Sequence, residues 1–439
     1  MNSIYSPNQN KFINLFSKNG IKILKSYIKH YQNGGSQGEG GATKESPLKS
    51  QIEELHQIKY GIDLPDTNKE NVSFMMIGCW GRMTGDNVTL PRVAYDMAEN
   101  IENHEFVISL GDNFYIKEPM NEEAFKEIWE NNFFGEGKLN LPWYISLGNH
   151  AYSEYFCPNF LLSKHFVNRN WTLPSTYWSM IRNKCLFIFL DTTMIAEYFE
   201  SKKKKKGKCS EMIIDDLRGK SSTMGEDAFM NLPMNPIGQI KWFQNTLMKY
   251  EPDENIHHII VIGHHPIIAH GHKKKNPCII SKGLYNIIYN ECIVEYNKYT
   301  STSNKKYIKA YFCADEHNFQ HLTHKQSIGE GENIDFDFHF IVAGTGGADN
   351  DLYETFPKNL EITGKIPEQP VQPIITNLSP GIDICEEKQV CNTLCLTEQE
   401  FILNKLITGE NGWLSVNITP SEMNITFNGI NKNNYSISI

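Results

Sequence analysis

The chain has 439 residues, of which 40% are hydrophobic and 12% aromatic, so it can bury the core of one large domain or two ordinary ones. Its formal net charge of −9 argues against general nucleic-acid binding, because affinity for a phosphate backbone comes from a positive surface. No apolar run approaches the roughly eighteen residues of a membrane span, and 10 cysteines are too sparse for a disulfide scaffold. We therefore expect a folded protein that is soluble or peripheral to a membrane.

The first 48 residues differ in composition from the rest of the chain. Lysines are spread through this segment, and no Asp or Glu precedes Glu39. Apolar residues from Phe12 to Tyr31 recur at near-helical spacing, which predicts a basic amphipathic helix that packs on the main domain or contacts a membrane surface or acidic partner. Residues 33–47 have the composition of a flexible linker. Because the lysines interrupt any secretory signal, we expect a cytoplasmic location.

Residues 49–439 have the pattern of a single domain in which strands alternate with helices. Apolar runs predict strands at 74–78, 106–110, 143–147, 185–191, 258–263, 307–314 and 338–344, and helical periodicity is found at 91–103 and 237–251. Several of these strands are apolar on both faces, which is typical of sheets covered by other layers on each side. The pattern predicts an α/β sandwich with mixed sheets flanked by helices.

Two segments of this domain look like insertions, one near 200–235 and one near 348–408. The first contains the run Lys202–Lys206, and a block of like charges usually forms a solvated loop. The second contains three cysteines without a CxxC pair, which makes a zinc site the less favoured alternative; they are Cys385, Cys391 and Cys395.

Polar side chains follow four of the predicted strands at the points where the strands end. They belong to GDNFY, GNHAY, HHP and DEHN, and the candidate residues are Asp112, Tyr115, Asn149, His150, His264, Asp315 and His317. Because the carboxyl ends of strands in an α/β sheet meet at one crevice, we expect these groups to converge. A mixture of oxygen and imidazole donors suits iron, manganese, zinc or magnesium. The sequence therefore predicts a metal site, and two metals bridged by a carboxylate would suit attack of water on phosphorus.

The motif series resembles that of the purple acid phosphatase branch of the calcineurin-like metallophosphoesterases, from about residue 72 to the end of the chain. Tyr115, three residues after Asp112, is the feature specific to that branch. Further landmarks similar to the family are LDT (190–192), QIKWFQ (239–244), GTGG (344–347) and a closing hairpin over 412–427. The resemblance implies an acid phosphatase that hydrolyses phosphate monoesters, on small molecules or phosphoproteins, with a metal-bound hydroxide. It also implies a dinuclear centre of Fe with Fe, Mn or Zn.

The resemblance assigns metal-binding roles to residues of this chain. Asp112 would be the bridging carboxylate, with Tyr115 and His317 on a first, ferric-type metal. Asn149 and His264 would bind the second, divalent metal.

Two further histidines receive catalytic roles from the same resemblance. His150 would lie beyond the metal ligands, where it would bind the substrate phosphate or protonate the leaving group as a general acid. His270 is similar to a supporting histidine that related enzymes carry a little further along the same loop.

Three of the motifs depart from the family pattern. Cys79 stands where the family has an aspartate ligand of the first metal, and Asp315 stands where it has a histidine ligand of the second. Ala151 replaces an acidic residue after His150. The first two changes keep metal donors while softening one ligand and hardening the other. Alternatively, Cys79 is an ordinary small buried hydrophobe at a strand end.

Two hypotheses follow from this mixture of kept and changed residues. The first is a metallophosphoesterase with altered metal preference or reduced activity. The second is a catalytically degenerate pseudophosphatase that acts as a binding or structural protein, with the amino-terminal arm or the 348–408 insertion as its contact surface.

Overall fold

The computed structural model describes most of the chain from residue 71 onward, with shorter pieces before it. The described residues are 3–6, 11–14, 47–55, 62–64, 71–82, 89–165, 170–200, 207–221, 223, 225, 229, 232, 234–269, 278–279, 281, 283–328, 334–348, 361–362, 401–407 and 409–439.

Strands β1 to β20 follow one another in chain order through the described residues. Their bounds are Ser3–Ser6, Lys11–Asn14, Ile62–Leu64, Val72–Ile77, Phe106–Ser109, Trp143–Ile145, Trp171–Thr172, Trp178–Arg182, Cys185–Phe189, His258–Ile262, Ile268–Ala269, Cys278–Ile279, Ile308–Cys313, Phe319–Ile328, Ile334–Ala343, Glu361–Ile362, Phe401–Ile407, Gly412–Ile418, Met423–Gly429 and Tyr435–Ser438. The α-helices span Pro47–Leu55, Leu90–Glu99, Glu122–Phe125, Asn131–Phe133, Asn159–Ser163, Thr192–Glu200, Cys209–Ser221, Pro236–Tyr250 and Glu295–Ser301. A 3₁₀ turn at Asn149–Tyr152 and two π-helical segments, Lys126–Glu130 and Leu284–Val294, complete the set.

Two large mixed sheets form the centre of the molecule. One has nine strands in the order β16-β17-β14-β15-β13-β10-β9-β8-β3, and the other has seven in the order β20-β19-β18-β4-β5-β6-β7. Neighbours β4, β5 and β6 are parallel in the seven-stranded sheet, and β9, β10 and β13 are parallel in the nine-stranded sheet. Helices cover the outer faces, so the predicted α/β sandwich is confirmed.

Strand β4 shows why these segments form buried strands rather than helices. Successive side chains of a strand point to opposite faces. Phe74 and Met76 pack in the core between the two sheets, whereas Met75 and Ile77 pack against the outer helical layer. Both faces of the strand are therefore removed from water, and a continuous apolar run is what this position requires.

Each strand and helix predicted in the domain is found, with boundaries that shift by a few residues. The closing hairpin is formed by β18 and β19, which pair antiparallel. Strand β17, within the predicted 348–408 insertion, pairs with β14 and so belongs to the nine-stranded sheet. The run Lys202–Lys206 and the cysteine trio at 385, 391 and 395 lie outside the described residues.

The amino-terminal segment differs from the prediction where the structure describes it. Lys11–Asn14 forms strand β2 and pairs antiparallel with Ser3–Ser6, so the predicted helix is wrong at Phe12. Backbone pairing between these two short segments satisfies the main-chain groups that a helix would otherwise have paired internally. No helix among the described residues is long and apolar enough to cross a lipid bilayer.

One disulfide joins two segments that are distant in the sequence. Cys157 follows the GNHAY turn and is bonded to Cys209, the first residue of the helix Cys209–Ser221. The main-chain N–H of Cys209 also donates to the carbonyl of Ser153 at 3.0 Å. The disulfide therefore links the helix of the predicted 200–235 insertion covalently to the loop that follows the GNHAY motif.

Candidate metal centre

Five parallel strands deliver the candidate ligands to one edge of the sandwich. β4, β5 and β6 come from one sheet, and β10 and β13 from the other. Three strand-end residues adopt left-handed backbone conformations: Cys79 has φ 54°, Asp112 has φ 52° and Asp315 has φ 65°. This conformation costs an L-residue about 1–2 kcal/mol and persists where the surrounding structure imposes it. The strained turns aim all three side chains into the space between the strand ends.

Asp112 lies at the centre of the cluster and is 2% exposed. Its Oδ1 accepts the main-chain N–H of His150 at 3.0 Å and lies 3.3 Å from Nε2 of His264. Its Oδ2 accepts the hydroxyl of Tyr115 at 3.0 Å. The close approach of residue 148 to Asp112 requires a glycine, because a Cβ on Gly148 would lie 2.2 Å from Oδ1 of Asp112.

One set of donors lies around the Tyr115 hydroxyl. This hydroxyl lies 3.1 Å from Nε2 of His317 and contacts Oδ2 of Asp112. The sulfur of Cys79 lies within 4.8 Å of the ligand atoms of Asp112 and His264. A phenol and an imidazole thus meet beside Oδ2 of Asp112.

A second set of donors lies around Nε2 of His264, on the other side of Asp112. This nitrogen lies 3.2 Å from Oδ1 of Asn149, 3.3 Å from Oδ1 of Asp112 and 3.5 Å from Oδ1 of Asp315. The Nδ1–H of the same ring donates to the carbonyl of Leu110 at 2.9 Å. Because that bond fixes the ring, Nε2 is the nitrogen directed at the cluster.

Two residues that the sequence interpretation did not assign hold these groups in place. The hydroxyl of Thr192 accepts the main-chain N–H groups of His264 and His265, each at 3.0 Å. Asp191 accepts the hydroxyl of Tyr152, at the end of the turn that carries Asn149 and His150. Both residues belong to the LDT motif after parallel strand β9, and that strand-end position was the available signal.

The charges of the cluster are strongly coupled. Burial alone would raise the pKa of Asp112, but the charge of His264 holds it well below its usual range. Burial alone would lower the pKa of His264, but the carboxylates of Asp112 and Asp315 raise it to about 10. Burial, and then the charge of Asp112, raise the pKa of Cys79 and of Tyr115. A cation binding here must displace protons from these ligands.

The donor set fits a metal ion. The ligand atoms of Cys79, Asp112 and His264 all lie within 4.8 Å of one another, and all three residues are buried. The surrounding donors are half-buried and face the crevice; they are Tyr115, Asn149, Asp315 and His317. A buried floor with a partly open rim leaves space for an external ligand, as a catalytic rather than a closed structural metal site requires.

His150 stands at the mouth of the crevice. Its side chain is 41% exposed, and its Nε2 lies 3.9 Å from Oδ2 of Asp112. The ring lies against that of Tyr115, with centroids 4.2 Å apart. Burial lowers the pKa of His150, and the charge of Asp112 opposes this effect.

The structure thus brings together eight of the nine residues that the sequence singled out: Cys79, Asp112, Tyr115, Asn149, His150, His264, Asp315 and His317. The ninth, His270, lies outside the described residues. Cys79 is buried, as the alternative interpretation required, but its sulfur lies within 4.8 Å of the ligand atoms of Asp112 and His264 as well as among apolar neighbours. The individual roles of these residues stay predictions.

Comparison with known proteins gave sequence relatives and structural neighbours. No family model matches the chain. Tartrate-resistant acid phosphatase type 5 of Rattus norvegicus is 24% identical over 269 residues, which cover 58% of this chain and 69% of that protein. Purple acid phosphatase 3 of Arabidopsis thaliana is 27% identical over 217 residues, covering 47% of this chain and 51% of that protein. The solved structure of GAP50, the anchor in the inner membrane complex of Plasmodium, superposes with a TM-score of 0.48 at 14% identity, covering 84% of this chain and 89% of that one.

Proposed function

We propose that this chain, a purple acid phosphatase-like metallophosphoesterase, hydrolyses phosphate monoesters at a dinuclear metal site. The observation that carries the proposal is the position of Asp112 between two sets of donors. One carboxylate oxygen faces the set around Tyr115, and the other faces the set around His264. A carboxylate in this position is suited to bridge two cations.

Each set of donors would hold one metal ion. One ion would bind Oδ2 of Asp112 together with Cys79, Tyr115 and His317. The other ion would bind Oδ1 of Asp112 and the second set, Asn149, His264 and Asp315. Bound metal ions would supply Lewis acidity toward the phosphoryl oxygens and would lower the pKa of water.

Among the residues that the structure describes, His150 is the one best placed to act on the substrate. It is the most exposed imidazole at the crevice for which the structure gives a contact with Asp112. When protonated, its Nε2–H can donate to a phosphate oxygen or transfer its proton to the leaving-group oxygen. Its main-chain N–H is already committed to Asp112, so the backbone at this position is held in place.

The test is the variant Asp112→Asn. The amide keeps the shape of the side chain but cannot bridge two cations as a carboxylate does. We expect purified Asp112→Asn to lose bound metal, measured by elemental analysis, and to lose hydrolysis of p-nitrophenyl phosphate with iron, manganese or zinc supplied. The exposed residue Asp337 provides the control, because Asp337→Asn removes an equal charge away from the crevice. Full activity in Asp112→Asn would place the chemistry elsewhere.

A second candidate function is a pseudophosphatase that keeps the fold for binding or assembly. Asp315 adds a carboxylate 3.5 Å from His264, and Ala151 provides no charge beside His150. The added negative charge opposes binding of a dianionic phosphate. A protein that holds two metals and still hydrolyses no monoester from acid to neutral pH would support this candidate over the first.

A further inference from the structure

We infer that His265, the second histidine of the HHP motif, binds the substrate phosphate as a neutral hydrogen-bond donor through Nε2, and that Thr192 positions its ring. The inference rests on the proposed function for the identity of the substrate, a phosphate monoester. Binding of inorganic phosphate tests it without turnover.

His265 lies beside the set of donors around His264. It follows that residue directly, in the turn after β10. The two imidazole rings meet edge to face, with centroids 5.0 Å apart and planes at 81°. Nε2 of His264 lies 3.3 Å from Oδ1 of Asp112, whereas Nε2 of His150 lies 3.9 Å from Oδ2. His265 and His150 therefore belong to different sides of the crevice.

Three hydrogen bonds hold His265 in one orientation. Its main-chain N–H donates to the hydroxyl of Thr192 at 3.0 Å, and its carbonyl accepts the hydroxyl of Tyr311 at 2.9 Å. Its ring nitrogen Nδ1 lies 3.2 Å from Oγ1 of Thr192. Pro266 follows, and a proline restricts the backbone of the preceding residue to extended conformations. Backbone and ring of His265 are thus fixed together.

The hydroxyl of Thr192 decides which ring nitrogen of His265 carries the proton. A hydroxyl oxygen has two lone pairs, and the main-chain N–H groups of His264 and His265 use both, each at 3.0 Å. The single hydroxyl proton is then donated to Nδ1 of His265, so Nδ1 is an unprotonated acceptor. The neutral ring therefore carries its proton on Nε2.

Nε2 of His265 is available to an external ligand. The side chain is half-buried, and Nε2 has no hydrogen-bond partner among the residues that the structure describes. Because Nδ1 is turned toward the buried hydroxyl of Thr192, the open side of the ring is the far side, where Nε2 lies.

A neutral donor suits the chemistry of this side of the crevice. Oxygens of Asp112 and Asp315 lie 3.3 and 3.5 Å from Nε2 of His264, so carboxylates are close to the position of His265. A protonated imidazole would be drawn to these carboxylates, whereas a neutral N–H stays free for a phosphate oxygen. Hydrogen bonds to charged oxygens are roughly twice as strong as neutral ones.

The experiment measures binding of inorganic phosphate to the metal-loaded full-length chain by calorimetric titration. His265→Phe keeps an aromatic ring beside His264 but has no donor. His265→Gln has no ring but carries a neutral N–H donor at about the position of Nε2. We expect His265→Phe to weaken phosphate binding about 10–100-fold, and His265→Gln to retain most of the affinity.

Two further readouts separate binding from damage to the centre. The KM for p-nitrophenyl phosphate should rise in His265→Phe with little change in kcat, because the donor contacts the phosphate before and during the reaction. Bound metal, measured by elemental analysis, should stay at the native level in both variants. His257→Phe, just before β10, is the matched control and should bind phosphate as the native chain does.

Thr192 is tested through its effect on His265. Thr192→Ser keeps the hydroxyl, and Thr192→Val removes it at nearly constant shape. Because the hydroxyl also holds His264, the loss of phosphate affinity in Thr192→Val is measured in the native chain and in His265→Phe. The loss should be smaller in His265→Phe. Equal losses would show that Thr192 acts through His264 alone and would contradict its positioning of His265.

Two results would overturn the role of His265. They are native phosphate affinity in His265→Phe, and a loss in His265→Gln as large as that in His265→Phe. A chain whose phosphate affinity depends on His265 but which hydrolyses no monoester would contradict the proposed function alone. Hydrolysis that requires Asp112 and is unchanged in His265→Phe would contradict the inference alone. A metal-loaded chain that neither binds phosphate nor hydrolyses monoesters would contradict both.

Discussion

His150 and Asp191 show how burial sets the behaviour of single residues at this centre. The imidazole of His150 lies at the mouth of the crevice, and burial lowers its pKa. The carboxyl of Asp191 is 1% exposed, and burial raises its pKa to about 7 even though Tyr152 and the main-chain N–H of Met194 donate to it. Each residue therefore leads to a pH-dependent prediction of its own.

We expect kcat of the native chain to rise as the pH falls, and His150→Gln should remove that rise. Because the pKa of His150 lies below its ordinary value, the protonated imidazole becomes populated only as the pH falls into the acid range. A positioned general acid contributes about 10²–10⁴-fold, and a loss of this size in kcat is expected. The measurement is the pH profile of kcat for both proteins, with His257→Gln, just before β10, as the control. An unchanged profile would exclude His150 as the proton donor.

Asp191→Asn should make stability less sensitive to pH. Since the folded-state pKa of about 7 lies above the ordinary value of 3.8, folding favours the protonated form, and its contribution is lost as the pH rises through 7. At 1.36 kcal/mol per pKa unit, the native chain should lose up to about 4 kcal/mol between acid and alkaline pH through this group. Asparagine still accepts the Tyr152 hydroxyl without titrating.

The measurement for Asp191 is urea denaturation of the native chain and Asp191→Asn at acid and at mildly alkaline pH. The variant should become the more stable of the two only on the alkaline side. Parallel curves, with the same pH dependence in both proteins, would contradict the assignment of a buried neutral carboxyl.

At the scale of elements, the centre depends on how closely strand ends approach one another. Gly148 lies three residues after the end of β6, and a Cβ there would lie 2.2 Å from Oδ1 and 2.4 Å from the main-chain nitrogen of Asp112. The contact with the main-chain nitrogen cannot be relieved by moving a side chain, because that atom belongs to the turn after β5. The junction of β5 and β6 therefore requires glycine for space.

Gly148→Ala should displace Asp112 and so disrupt both sets of donors at once. We expect a loss of about 1–3 kcal/mol in the free energy of unfolding, typical of overpacking, together with loss of bound metal. Gly219→Ala is the matched control, since that helical glycine has open space where its Cβ would lie and should gain about 0.5–1 kcal/mol. Native metal content in Gly148→Ala would show that the turn adjusts without cost to the centre.

At the scale of the whole molecule, the disulfide between Cys157 and Cys209 joins segments separated by 52 residues. It connects the loop after the GNHAY turn to a helix that lies beyond strands β7 to β9. Disulfides of this kind are typical of proteins that mature in oxidising compartments. This feature stands against the cytoplasmic location that the lysine-rich amino terminus predicted, although the location itself stays a prediction.

Removing the disulfide should destabilise the fold measurably. Closing a loop of this length restricts the unfolded chain, and the entropy model gives about 4 kcal/mol, with measured values typically about 2–4. Cys157→Ser should lower the free energy of unfolding by that amount and abolish the effect of reductant on the urea curve. Cys185→Ser, at a buried cysteine that is not part of the disulfide, is the control that should retain the reductant effect.

Much of the fold could be predicted from the sequence because the strands of this sandwich are buried on both faces. Segments such as 74–78 and 185–191 must be apolar throughout, and that requirement leaves a continuous run that can be read without a structure. The polar residues that follow the runs, Asp112 and His264 among them, were then expected at one edge. The amino-terminal strand β2 was missed because it pairs with Ser3–Ser6, and apolar spacing cannot show backbone pairing.

The sequence by itself determined which residues reach the centre, because each candidate ligand follows the end of a strand that can be recognised from its apolar run. Only the tertiary structure decided how they are shared: Asp112 presents one oxygen to Tyr115 and the other to His264. The same is true of the sulfur of Cys79, which could have been an apolar core atom until its polar neighbours were placed. These features depend on distances between atoms from different strands and sheets, and local sequence patterns do not encode such distances.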